Sequence, residues 1–278
     1  MARNVVAITG ASSGIGAAFA RKLAPTHDLI LIARRRERLV ALASEFSHIY
    51  GTNSEIVEAD LTKEDDTVRV ADRIGSEPRL VLLVNNAGFG TRGRFWEAPV
   101  ERQERMHKLH VMATVRLSHA ALRNLVQRDV GGIINVASVS AFVRVQGTVS
   151  YAATKTWMTT FTEGLYLELK GIRSNVTVQA LCPGYTYSEF HEALGVQREK
   201  LGGSAFWLTA EEVADASLEG LSRRKLFVIP GWRYRLLTAF LSKVPAALRV
   251  HVEAIGGKMR SRQFDLAGQQ NKTKELQS

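Results

Sequence analysis

The stretch VVAITGASSGIG, residues 5–16, decides the fold. Its first four residues are apolar throughout, which suits a strand covered on both faces. Glycines follow at 10, 14 and 16, and a helix-like pattern begins. Glycine at such points permits a tight turn, close approach of backbone to a ligand, and close packing of the next helix. The amides opening that helix, with its positive dipole end, form a cradle for a pyrophosphate. The order is GxxxGxG rather than the commoner GxGxxG, so the place of the turn, after a first strand and before a helix, carries the nucleotide reading. Gly10, Ser12, Ser13, Gly14, Ile15 and Gly16 are the cradle residues.

Outward from this unit the same alternation repeats. Apolar runs at 5–10, 29–33, 54–60, 80–88, 132–138, 175–184 and 226–231 are separated by helical patterns near 14–24, 36–47, 63–75, 100–128, 150–170 and 210–222. The expectation is an α/β fold: a doubly wound, mostly parallel seven-stranded sheet with helices on both faces and a C-terminal helical extension. Ligands of such sheets bind beyond the strands' C-terminal ends. The chain divides into a dinucleotide-binding and catalytic domain (1–231), a basic amphipathic extension (232–267) and a disordered tail (268–278).

At 278 residues and 45% hydrophobic content, the chain can bury a large core. The N-terminal residues run straight into a strand pattern, which leaves no room for a signal peptide. No uncharged run approaches the roughly 20 residues of a spanning helix. The single cysteine, Cys182, excludes an internal disulfide and reads as a packing residue. A cytoplasmic protein is expected. Of the net charge of +10, the residues from Ser222 onward carry +9, twelve Lys/Arg against three Asp/Glu. The main domain is therefore close to neutral, and its charge gives no ground for a nucleic-acid partner.

The end of the second strand reads LIARRRERL, with Arg34, Arg35 and Arg36 before any acid. A carboxylate there would bind ribose hydroxyls, whereas guanidiniums suit a 2′-phosphate. NADP(H) is the predicted cofactor, with Arg34 as main clamp and Arg35 assisting. Asp60 and Leu61 are placed to meet the adenine. Asn86, Ala87 and Gly88, ending the fourth strand, let backbone approach the cofactor. Farther on, SYAATK at 150–155 sets Tyr151 and Lys155 four apart, on one face of a helix. A nearby ammonium favours phenolate, moving a phenol from its ordinary pKa of about 10 toward the range where acid–base catalysis is efficient.

TGASSGIG, NNAG, INVAS with Ser138, YAATK and CPG with Pro183-Gly184 occur in that order at strand ends. In this the chain resembles the short-chain dehydrogenase/reductase family over about residues 4–231. The resemblance implies that Ser138 holds the substrate oxygen, Tyr151 exchanges its proton, and Lys155 lowers the tyrosine pKa while binding the nicotinamide ribose. Backbone at Pro183-Gly184 and the side chain of Thr186 would contact the nicotinamide end. The family usually has an asparagine after NNAG, supporting a water-linked proton path; here HKLHVMAT puts His110 in its place. His110 is either a fourth catalytic member or a bulkier packing residue. The other histidines form no metal-ligand grouping.

Aromatic and apolar residues gather where substrate would lie: Phe89, Phe95, Trp96, Phe142, Val143, Tyr185, Tyr187, Phe190, Leu194, Phe206 and Trp207. The substrate expected is a hydrophobic ketone, aldehyde or acyl-chain carbonyl, or the matching alcohol. The rival is a dinucleotide-binding regulator or scaffold with little chemistry. In the extension, Trp232, Leu236, Leu237, Phe240, Leu241 and Val244 form an apolar stripe beside Arg233, Arg235 and Lys243, and Pro245 should break the helix. The stripe packs on its own domain or on a second subunit in a homodimer or homotetramer; the alternative is an anionic membrane surface.

Overall fold

A computed structural model describes residues 2–91, 93–189, 206–244 and 248. Its sheet uses β1 (Val5–Thr9), β2 (Asp28–Ala33), β3 (Ser54–Glu58), β4 (Leu80–Asn85), β5 (Gly132–Val136), β6 (Thr177–Leu181) and β7 (Phe227–Val228). All neighbours are parallel, in the order β3-β2-β1-β4-β5-β6-β7. The order reverses between β1 and β4, which opens a crevice at their C-terminal ends.

Period-two alternation within buried strands sends neighbouring residues to opposite faces. On one face Val6, Ile8, Leu29 and Leu31 pack with Phe19 of α1 (Gly14–Leu23), Phe46 of α2 (Arg36–Tyr50) and Val213 of α7 (Ala210–Ser222). On the other, Val5, Ala7, Ile30 and Ile32 meet Ile74 of α3 (Glu64–Gly75), Leu117 of α5 (Thr114–Arg128) and Leu169 of α6 (Val149–Gly171). Each large aliphatic or aromatic side chain so buried contributes about 1.5–3 kcal/mol relative to exposure.

Several predicted strands stop short. Residues 10, 59–60, 86–88 and 182–184 leave the ladder and become the turns that line the crevice. β7 keeps two residues of its predicted six, since Pro230 cannot donate to a ladder. The predicted helix 100–128 is α4 (Val100–His107), a π-helical turn (Lys108–Ala113), then α5. Helix α7 starts where its capping box dictates: Thr209 Oγ1 accepts from the Glu212 amide, and Glu212 accepts from the Thr209 amide.

The extension begins as helix α8 (Trp232–Lys243). It buries Tyr234, Thr238 and Leu241 and exposes Trp232, Leu236, Leu237 and Phe240. The expected stripe is thus divided, with only Leu241 turned firmly inward. The Tyr234 ring occupies the space a Cβ at Gly184 would need, 2.1 Å from the nearest ring atom, so α8 is seated on the Pro183-Gly184 turn. Pro245, most of the rest of the extension, the 268–278 tail, Phe190 and Leu194 lie outside the described residues. Among the described residues no helix is long and apolar enough to cross a membrane.

Candidate active site

The phosphate turn is fixed by Thr9. Its hydroxyl donates to the Val84 carbonyl (3.2 Å) and accepts from the Asn86 and Ala87 amides (2.9 and 3.0 Å). Asn86 Nδ2 returns a bond to the Thr9 carbonyl at 2.9 Å. Gly10 has φ +66°, and a Cβ there would meet Asn86 and Ala87 at 2.8 and 2.9 Å. A Cβ on Gly16 would stand 2.3 Å from the Gly10 carbonyl oxygen. Only glycine lets α1 start this close to β1, with Ser13 extended at its N-cap and the next amides free of helical acceptors. The cradle residues Gly10, Ser12, Ser13, Gly14, Ile15 and Gly16 therefore fit a pyrophosphate.

Of the two arginines, Arg35 reaches the cradle. Its guanidinium donates to Ser13 Oγ (2.7 Å), to Ser12 Oγ (3.1 Å) and to Glu189 Oε2 (2.7 Å). Arg34, expected as the main clamp, is exposed at the surface end of β2. Glu189 went unnoticed in the sequence; it also pairs with Arg38, and these two guanidiniums pull its carboxyl down to about 2. On the other flank, Asp60 accepts from the Thr62 amide and hydroxyl (3.1 and 2.8 Å), holding the turn after β3, where Leu61 is buried.

The candidate acid–base group comes from two elements. Ser138 caps a short 3-10 turn (Val139–Ala141) after β5, its Oγ accepting from the Ser140 amide at 3.1 Å. Tyr151 and Lys155 project from the first turns of α6, and Tyr151 hydrogen-bonds Ser138. Lys155 Nζ lies 5.8 Å from the Tyr151 ring centroid and donates to the Val136 carbonyl at 2.7 Å. The Val139 amide donates to the Pro183 carbonyl (3.0 Å), joining this group to the Pro183-Gly184 turn, and Thr186 Oγ1 donates to the Gly184 carbonyl (3.1 Å).

The electrostatics run against the sequence expectation. Burial pushes the Tyr151 phenol up to about 12, with the Ser138 hydrogen bond opposing only part of the rise. Burial also pushes the Lys155 ammonium down to about 7. At the phenol, desolvation outweighs the Ser138 hydrogen bond. Tyr151 thus holds its proton firmly across neutral pH. Cys182 is buried and its thiol is pushed up to about 12, which leaves it a packing residue.

The short-chain dehydrogenase family model matches residues 4–199. The chain belongs to the short-chain dehydrogenase/reductase family. It is an oxidoreductase of that family. An oxidoreductase of Staphylococcus epidermidis, named as uncharacterized, is 31% identical over 79% of this chain and 91% of its own. The 3-oxoacyl-[acyl-carrier-protein] reductase of Aquifex aeolicus is 31% identical over 67% of this chain and 75% of its own. Among solved structures, a short-chain dehydrogenase from Sphingobium yanoikuyae in complex with NADPH is 35% identical with a TM-score of 0.78, covering 88% of this chain and 97% of that one. A bulky-bulky ketone specific alcohol dehydrogenase from Comamonas testosteroni is 30% identical with a TM-score of 0.74, covering 89% and 97%.

This short-chain dehydrogenase sets His110 on the π-helical turn, fully buried. The extra backbone residue of such a turn re-aims a side chain, a device frequent at functional sites. The His110 ring lies 6.0 Å from the Tyr151 ring, edge-on, and 6.3 Å from Phe89. Nδ1 is 2.9 Å from Thr154 Oγ1, and that hydroxyl donates to the Tyr151 carbonyl, also at 2.9 Å. A hydroxyl has one hydrogen. With that hydrogen on the Tyr151 carbonyl, Thr154 accepts from His110, Nδ1 carries the imidazole hydrogen and Nε2 presents a lone pair; with it on Nδ1, the roles reverse. Burial, then the charges of Lys155 and His107, hold the imidazole neutral, well below its ordinary pKa. Nε2 has no partner among the described residues and lies 2.7 Å from where a Cβ on Gly88 would be.

The expected substrate-side aromatics separate. Tyr185 and Tyr187 stack on Trp207 at 5.4 and 5.0 Å between centroids, Phe142 turns to Phe227 at 6.4 Å, and Phe95 and Trp96 are exposed.

Proposed function

We propose that this oxidoreductase is NADP(H)-dependent and interconverts an apolar ketone or aldehyde with its alcohol by hydride transfer. The observation that carries the reading is the Ser138–Tyr151 hydrogen bond with Lys155 Nζ 5.8 Å from the tyrosine ring, at the strand ends that bear the glycine cradle. The cradle amides, Arg35, Asp60, Leu61, Asn86, Ala87, Gly88 and the Pro183–Thr186 turn would hold the dinucleotide, and Tyr151 and Lys155 its ribose. When bound, the nicotinamide supplies or accepts the hydride. Ser138 orients the carbonyl oxygen through a hydrogen bond, and Tyr151 gives that oxygen its proton as alkoxide charge develops. His110, as fourth member, offers an acceptor behind this pair.

The NADPH complex and the bulky-ketone enzyme among the similar structures support both the cofactor and an apolar carbonyl. Assembly as a homodimer or homotetramer and a cytoplasmic location belong to the same reading. The test is NADPH oxidation with a panel of apolar ketones and aldehydes by wild type and Tyr151→Phe. Loss of at least a hundredfold in kcat is expected for the variant, in line with the usual worth of a positioned acid. Equal turnover by both would sink the assignment. Tight NADPH binding without turnover of any carbonyl by the wild type would leave a dinucleotide-binding regulator.

A further inference from the structure

Helix α8 is already seated in the domain by Tyr234, Thr238 and Leu241. Its outward face is nevertheless apolar. Trp232, Leu236 and Phe240 are 58%, 62% and 66% exposed, and their i, i+4, i+8 spacing puts them on one stripe. Scattered exposed apolar residues are ordinary, but an aligned stripe marks a binding surface. The same twelve residues contain Arg233, Arg235 and Lys243 and no acid. The Arg233 guanidinium lies 5.1 Å from the Trp232 ring centroid and 5.7 Å from that of Phe206, joining cation and aromatics at the surface.

We propose that this face of α8 docks on an anionic phospholipid surface. Charge selects the occupant. A second copy of the helix would set three cations against three. Residues 245–278 hold six Lys/Arg against three Asp/Glu, so that segment is net positive as well. An anionic leaflet instead attracts such a segment by about 1 kcal/mol per basic residue near its surface. The Trp, Leu and Phe side chains then enter the boundary between headgroups and acyl chains. The proposal concerns a surface on the outer side of α8 and stands whether or not the catalytic reading does.

The experiment is co-sedimentation of the full chain with vesicles of phosphatidylcholine alone or mixed in equal parts with phosphatidylglycerol. Binding to the mixed vesicles is expected, at least tenfold weaker on phosphatidylcholine and weakened by salt. Leu236→Glu with Phe240→Glu should lower the affinity a further tenfold or more while leaving the melting temperature within a few degrees. Should that pair fail to fold, Arg235→Glu with Lys243→Glu takes its place with the same expected loss. Three results overturn the proposal: no binding of the wild type to mixed vesicles, equal binding of wild type and folded variant, or a variant that changes only the oligomeric mass in size-exclusion chromatography. The last would give the face to a second copy of this chain.

Discussion

His110 Nδ1 stands 2.9 Å from Thr154 Oγ1, and the same hydroxyl lies 2.9 Å from the Tyr151 carbonyl oxygen. One hydroxyl thereby ties a buried imidazole to the backbone of the residue that bears the phenol. Thr154→Val should remove that partner and leave a buried ring nitrogen unsatisfied, at a cost of about 1–3 kcal/mol. Thr154→Ser should restore most of it. Urea unfolding of the three proteins reads the difference, and a valine variant as stable as wild type would mean that His110 bonds elsewhere.

A lone pair on the unpartnered Nε2 would give His110 a role beyond packing. His110→Asn, which can still present an acceptor, should keep turnover within about tenfold, while His110→Leu should lose about a hundredfold or more in kcat. Equal kcat for the leucine variant and wild type, with the protein folded, would reduce His110 to a space-filling residue.

Arg35, not Arg34, bonds the phosphate-turn serines. Arg35→Ala should therefore weaken NADPH at least tenfold and NADH much less, and Arg34→Ala should change either Kd by less than threefold. Titration of cofactor fluorescence measures both. The reverse ranking would restore Arg34 as the main clamp.

Lys155 is 4% exposed and its ammonium is held down to about 7 by burial. The unfolded chain, with an ordinary lysine near 10.4, binds more protons between those values, so the native state gains stability as pH rises from about 7 to about 10. Lys155→Met removes that dependence. At pH 7 the methionine variant should melt several degrees above wild type and be inactive, and the gap should close as the buffer is taken toward pH 10. A constant gap over that range would show that Lys155 is not desolvated.

The fold was legible because the central strands β1, β2, β4, β5 and β6 are apolar enough to be covered on both faces, and because Gly10, Gly14 and Gly16 mark one turn unmistakably. Ser138, Tyr151 and Lys155 were legible for a related reason: their spacing survives without knowledge of tertiary contacts. What escaped depends on direction rather than order. The neighbouring arginines 34 and 35 look alike in the chain, and the turn out of β2 brings Arg35 to the cradle serines and leaves Arg34 exposed, where a 2′-phosphate could still meet it. Glu189 closes on Arg35 across 154 positions, beyond the reach of any local pattern. The π-helical turn has no glycine or proline to announce it, so the segment 100–128 reads as one helix. The rise at the Tyr151 phenol comes from burial, which a spacing rule that counts only the neighbouring cation leaves out.

Asn85 and Asn135 face each other as register partners on β4 and β5, and Asn85 Nδ2 donates to Asn135 Oδ1 at 2.8 Å. Ser118 and Thr162 extend the contact to α5 and α6. Neighbouring strands made only of valine, isoleucine and leucine could slide by two positions and still bury oil against oil. Sliding this pair would strand two amides in the dry interior beneath α5 and α6, so misaligned versions of the packed sheet are penalised. The molecule carries in its centre a proofreading mark for its own register, on the strand that leads to Ser138.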